Sequence, residues 1–214
     1  GKLDEGAAAE VRPVLRVAQV SVLARLGDVE RVRAAVRDGT QGLLACPPET
    51  LRHCIQLTDD FLGDPVSTAD LCRLCIDRCA RDYSEAVAAG DGAGGSDNGL
   101  GSGGDSDGGG GGGCGHGPLL GWLYRRVLMC SPSREAALAV AKEFTQQLEA
   151  MMGGADPIPA EDVDYFAAKC HNLGLGMLEM GRPALAERFV GRALGLVKLG
   201  ASAAFAERWG EAIV

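Results

Sequence analysis

The sequence predicts an all-α fold made of helices paired across short turns, and three observations carry that expectation. Apolar residues recur three and four positions apart on both sides of a glycine-rich tract, which is the period of one helix face. Gly, Pro and Ser clusters interrupt the pattern at short intervals, as turns between helices would. Runs with strand character are missing: Val127 to Met129 is short and lies inside a helical pattern.

Taken in order, Val11, Val14, Leu15, Ala18 and Val22 mark a first apolar face, Gly27-Asp28 breaks it, and Val29, Val32 and Val36 resume it. Two short helices joined by a tight turn are expected there. Pro47-Pro48 ends one element, and Leu51, Cys54, Ile55, Thr58, Phe61 and Leu62 describe the next. Gly63-Asp64-Pro65 interrupts again before a helix expected to be capped by Ser67 or Thr68, with a stripe through Cys72, Cys75, Cys79, Tyr83, Ala86 and Val87. Beyond the tract, Leu120, Leu123, Tyr124, Val127 and Leu128 form another face, and Ser131-Pro132-Ser133 provides a turn with a cap. A helix through Ala137, Val140, Ala141, Phe144, Leu148 and Met151 follows, closed by Gly153-Gly154 and separated by Pro157-Ile158-Pro159 from a final pair.

Composition has to be taken by region. The chain has 214 residues, and its 46% hydrophobic and 23% charged content is ordinary for a globular protein. Gly90 to Gly117, however, holds 16 of the 32 glycines and four Asp with no Lys or Arg. Such a segment cannot bury enough apolar surface to offset its ordering entropy, so a disordered loop is expected over 90–117. It is flanked by helical pairs over 1–89 and 118–214. The tract has neither order of glycines that cradles phosphate. The net charge of −8 disfavours direct nucleic-acid binding. No apolar run approaches the ~20 residues of a membrane span. The chain opens without an apolar signal segment or an initiator Met, so neither secretion nor a complete chain is expected.

Eight cysteines without a secretion signal do not suggest a disulfide framework. Cys72 and Cys75 form a CxxC, with His53 and Cys54 upstream, which would be the start of a zinc site. There is no second pair, and the spacing of Cys72, Cys75 and Cys79 matches one helix face, so a buried, metal-free, reduced stripe is expected. Cys114-Gly115-His116 lies in the tract without a preorganised partner. With three histidines, and with Asp59-Asp60 and Glu161-Asp162-Asp164 expected to be solvated charge at helix ends, no catalytic constellation is legible. The expectation is a non-enzymatic chain without cofactor, metal or small-molecule substrate.

Residues 167–200 resemble one tetratricopeptide repeat of 34 residues. The matching positions are Leu173-Gly174, Gly181, Ala186 and Ala193. Gly174 and Ala186 would let two antiparallel helices approach, Ala193 would do so against an adjoining helix, and Gly181 would supply a positive φ at the turn. Cys170 and Lys198 depart from the repeat, where a large aromatic residue and a closing Pro are usual. Taken with the earlier pairs, this suggests a degenerate α-solenoid with one glycine-rich insertion, since a single pair cannot bury its own apolar face.

Asp162-Val-Asp-Tyr-Phe-Ala-Ala-Lys-Cys-His-Asn-Leu-Gly, followed by Ala186-Glu-Arg-Phe-Val-Gly-Arg-Ala-Leu, resembles the C-terminal part of the meiosis-specific tetratricopeptide family of sporulation-twenty-two, zipper-four and testis-expressed type. The similarity covers 162–200. It implies a nuclear, chromosomal scaffold that promotes crossover formation and synaptonemal-complex assembly by binding recombination and synaptonemal-complex proteins. It also implies that His171-Asn172, standing where the family has an aromatic-Asn pair, docks a partner; the alternative is that Asn172 bridges helix backbone. A generic tetratricopeptide adaptor or co-chaperone-like module of a cytosolic complex is the other expectation, with Arg182, Arg188 and Arg192 its only local basic cluster.

Overall fold

The structure, a computed structural model, describes residues 5–44, 46, 48–90, 116–152 and 157–213, and all regular structure among them is helical. The helices are α1 (Glu5–Arg25), α2 (Val29–Asp38), α3 (Thr40–Leu44), α4 (Pro48–Leu62), α5 (Pro65–Gly90), α6 (His116–Met129), α7 (Arg134–Met151), α8 (Ala160–Glu179), α9 (Pro183–Gly200) and α10 (Ala203–Ile213). No helix among the described residues is long and apolar enough to cross a membrane. Residues 91–115 and 153–156, with most of the glycine tract and Gly153-Gly154, lie outside the described residues. At the tract's edges, α5 runs to Gly90, and α6 takes in His116 and Gly117.

The turns follow from a few residues. Gly27 adopts φ 71° after α1, and Gly181 adopts φ 68° after α8. At both sites the same two backbone bonds close the helix: Gly27 N–H to Ala24 O with Asp28 N–H to Leu23 O, and Gly181 N–H to Leu178 O with Arg182 N–H to Met177 O. Each turn hands over at once, to α2 through the cap Asp28 and to α9 through Pro183 in its first turn. Ser133 caps α7, accepting from Ala136 N–H at 3.1 Å.

Helix α5 starts earlier than its Ser67 or Thr68 suggested, because Asp64 is the cap and Pro65 the first helical residue. Asp64 Oδ2 accepts from Ser67 N–H at 3.0 Å and from Ser67 Oγ at 2.6 Å, while Arg33 of α2 donates to both carboxylate oxygens. The guanidinium bond and the Ser67 donors hold the buried Asp64 carboxyl at about 2, against the cost of its burial.

In the first half α1 packs on α2, α3 and α4, and α4 packs on α5. Helix α5 also meets α2, α3 and α6, so it joins the halves. In the second half α6 lies on α7 and α8, and α7 on α8 and α9. The antiparallel α8 and α9 share the most extensive interface. A ladder of rings ties α6, α7 and α8 together: Tyr124 meets Phe144 edge-on at 5.5 Å, and Phe144 stacks on Phe166 at 3.9 Å. Trp122 of α6 sits against two guanidinium groups, Arg52 of α4 at 5.2 Å and Arg126 at 5.4 Å.

One face differs from the sequence expectation. Helix α1 buries Pro13, Val17, Val20 and Ala24, whereas Val14, Leu15, Ala18 and Val22 are exposed. Phe61 is likewise exposed, under Arg25. The cysteine stripe is as expected: Cys72, Cys75 and Cys79 are fully buried beside Ile76. Burial pushes the Cys72 thiol up, and those of Cys54 and Cys170 to about 11 and about 12. His53 is exposed. Among the described residues no group of three His, Cys, Asp or Glu could hold a metal.

Candidate functional site

The α8–α9 hairpin is the part of the molecule that the sequence described most closely. Leu173, Gly174, Ala186 and Ala193 are all buried in it. A Cβ placed on Gly174 would stand 2.9 Å from Val190 Cγ2, 3.3 Å from the Ala186 carbonyl oxygen and 3.5 Å from Phe189 Cβ. The two backbones therefore meet where Gly174 faces Ala186, and no larger residue fits between them without displacement.

At the acidic start of α8, Glu161 is exposed as expected, but Asp162 and Asp164 are not solvated charge. Asp162 is 6% exposed, and its carboxylate occupies the space where Gly121 of α6 lacks a side chain. Arg125 sets its Nε beside that carboxylate without the alignment of a hydrogen bond, donates from Nη2 to the Glu161 carbonyl at 3.0 Å, and lies over the Tyr165 ring. Burial raises the Asp162 carboxyl and Arg125 opposes this only in part. Asp164 is half-buried and accepts from Ser202 N–H at 2.8 Å and Ser202 Oγ at 2.6 Å, which ties the start of α10 to α8. Of the other acids expected to be solvated, Asp60 is exposed, whereas Asp59 pairs with Arg126 across α4 and α6. With Asp64, these carboxylates fasten helices together, and their partners on other helices lie 31 to 67 residues away.

His171 and Asn172 are adjacent in α8 but differ in surroundings. The His171 ring is half-buried and meets Trp209 of α10 edge-on at 4.8 Å, and Trp209 in turn stacks with Phe205. Asn172 is exposed, with no side-chain hydrogen bond among the described residues, so it bridges no helix backbone there. Leu175 and Leu178, successive steps of three along the same helix, are 45% and 53% exposed. A short polar and apolar surface thus stands beside a ring already covered from within the chain. Sequence reasoning left α10 out, although its Phe205 and Trp209 at a spacing of four signal an apolar face.

The basic cluster divides. Arg182 is engaged by Glu135 of α7 at 2.7 Å. Arg188 and Arg192 instead line a groove between α7 and α9 together with Lys142, which no local pattern joins to them.

No family model, curated protein or solved structure matches the chain.

Proposed function

We propose that this chain is a non-enzymatic scaffold that binds other proteins, acting as the resemblance over 162–200 implies: in the nucleus, on meiotic chromosomes, promoting crossover formation and synaptonemal-complex assembly. In this reading the hairpins α6–α7 and α8–α9 are successive units of a degenerate tetratricopeptide-type solenoid. The observation that supports it is the exposed surface of Asn172, Leu175 and Leu178 on a helix fixed against its neighbour at Gly174. A rigid helix presenting a polar residue beside two uncovered leucines has what a docking helix needs, and exposed apolar groups in contiguity mark interaction surfaces.

The test is binding of recombinant synaptonemal-complex proteins to the chain and to Asn172→Ala. Loss of binding with an unshifted thermal midpoint is the expected result, because an exposed side chain without partners contributes little to stability. Unchanged binding by Asn172→Ala, or absence of the protein from meiotic chromosome spreads, would remove this reading.

A further inference from the structure

The groove between α7 and α9 collects positive charge in a chain that is acidic as a whole, with 29 Asp and Glu against 21 Lys and Arg. It encloses about 510 Å³ and presents Lys142 from α7 with Arg188 and Arg192 from α9. None of the three lies within ion-pair distance of a carboxylate among the described residues, whereas Arg33, Arg73, Arg78, Arg125, Arg126 and Arg182 all do. Glu135, the one acid on the rim, is taken up by Arg182. Arg188 and Arg192 are one helical turn apart on the same face, where two cations repel each other unless an anion lies between them. Leu138 gives the groove an apolar patch, and nothing stands within 4 Å of the position a Cβ on Gly191 would take, so a chain can approach the α9 backbone closely there.

We infer that this groove binds an acidic peptide segment of a partner protein, its carboxylates set on Lys142, Arg188 and Arg192 and an aliphatic side chain on Leu138. A peptide fits the charge better than a nucleic acid does, because the net charge of −8 repels an extended polyanion while leaving a local patch of three cations to a short one. This goes beyond the function proposed above and does not depend on it. The groove is lined by residues of α7 and α9, whereas Asn172 stands on α8. The groove and the Asn172 surface are different faces.

Fluorescence anisotropy of a labelled Glu-rich peptide with one central Leu, titrated with the full chain at about 0.15 M salt, tests this against a Gln-for-Glu peptide and a DNA duplex. The Glu peptide should bind and the Gln peptide should not. The double change Arg188→Glu with Arg192→Glu should weaken binding by roughly tenfold or more, with the helical circular dichroism retained. The matched pair Arg37→Glu with Arg81→Glu, on exposed positions of α2 and α5, should do much less. Lys142→Glu, a single exposed change on α7, gives the same readout should the double variant lose its helicity. Asn172→Ala should leave the peptide affinity untouched, which separates this proposal from the one above. Absence of binding, equal weakening by both reversal pairs, or a tighter complex with DNA than with the peptide would overturn it.

Discussion

Replacing Gly174 by Ala adds one methyl group at the point where α8 and α9 come closest. In an open helical position that change stabilises by up to about 1 kcal/mol, since Gly is the poorest helix former after Pro. At Gly174 the new Cβ meets Val190 Cγ2 at 2.9 Å and the Ala186 carbonyl oxygen at 3.3 Å. Val190 is β-branched and its χ1 is stiff, and the carbonyl belongs to backbone, so neither yields without moving α9. Overpacking of this kind costs about 1–3 kcal/mol, which leaves a net loss of about 0–2 kcal/mol. Gly195 is the control, because a Cβ there meets nothing within 4 Å, and Gly195→Ala should gain the full propensity term. The two variants should therefore differ by about 1–3 kcal/mol, which is about 2–12 °C in thermal midpoint for a chain of this size. Urea denaturation followed by circular dichroism at the helical band measures this directly. If Gly174→Ala proves as stable as Gly195→Ala, the close approach of the hairpin is wrong.

Three further outcomes follow from the same reasoning. Asp64 is held at about 2 in the folded state against 3.8 unperturbed, so its stabilisation is complete above pH 4 and is lost as pH falls towards 2. Discounting for the part-exposed Arg33, this is about 2 kcal/mol, and Asp64→Asn should flatten that part of an acid titration of stability. Excising residues 93–113 should raise the thermal midpoint by a few degrees at most, because cutting the loop expected from the sequence from 28 residues to 7 lowers its closure cost by only about 1 kcal/mol; a lowered midpoint would show that the tract packs or binds. Chelators should leave helicity unchanged, and one zinc per chain released together with helicity would contradict the buried-thiol account of Cys72, Cys75 and Cys79.

Helix positions were legible in the sequence because turn residues and apolar period agree at Gly27-Asp28, Gly63-Asp64-Pro65 and Gly181-Arg182-Pro183. The packing glycine and alanines of α8 and α9 were legible for the same reason, as a small residue at a fixed offset has one steric use. Helix α1 was legible as a helix but not in its orientation: it carries Val17, Val20 and Ala24 on one side and Val14, Leu15 and Val22 on another, and period alone cannot choose between two apolar faces. Asp64 was passed over as a cap although Pro65 after it fits the first helical position. Asp162 was misplaced because only Gly121 and Arg125, some forty residues earlier, make room for it and pair with it. It does share a stripe with Phe166 and Cys170 at steps of four, which is the local sign of its burial. The α7–α9 groove needed both helices in place before Lys142 could be joined to Arg188 and Arg192.

The two tryptophans also make the chain its own optical probe. Trp122 emits from between the guanidinium groups of Arg52 and Arg126, so its environment changes when α4 leaves α6. Trp209 emits against the His171 imidazole and the Phe205 ring, and its environment changes when α10 leaves α8. Because the chain has only these two indoles, Trp122→Phe and Trp209→Phe each leave a single emitter. Stopped-flow emission from the pair would show whether the last helix detaches before the junction between the halves opens, or whether both are lost in one step.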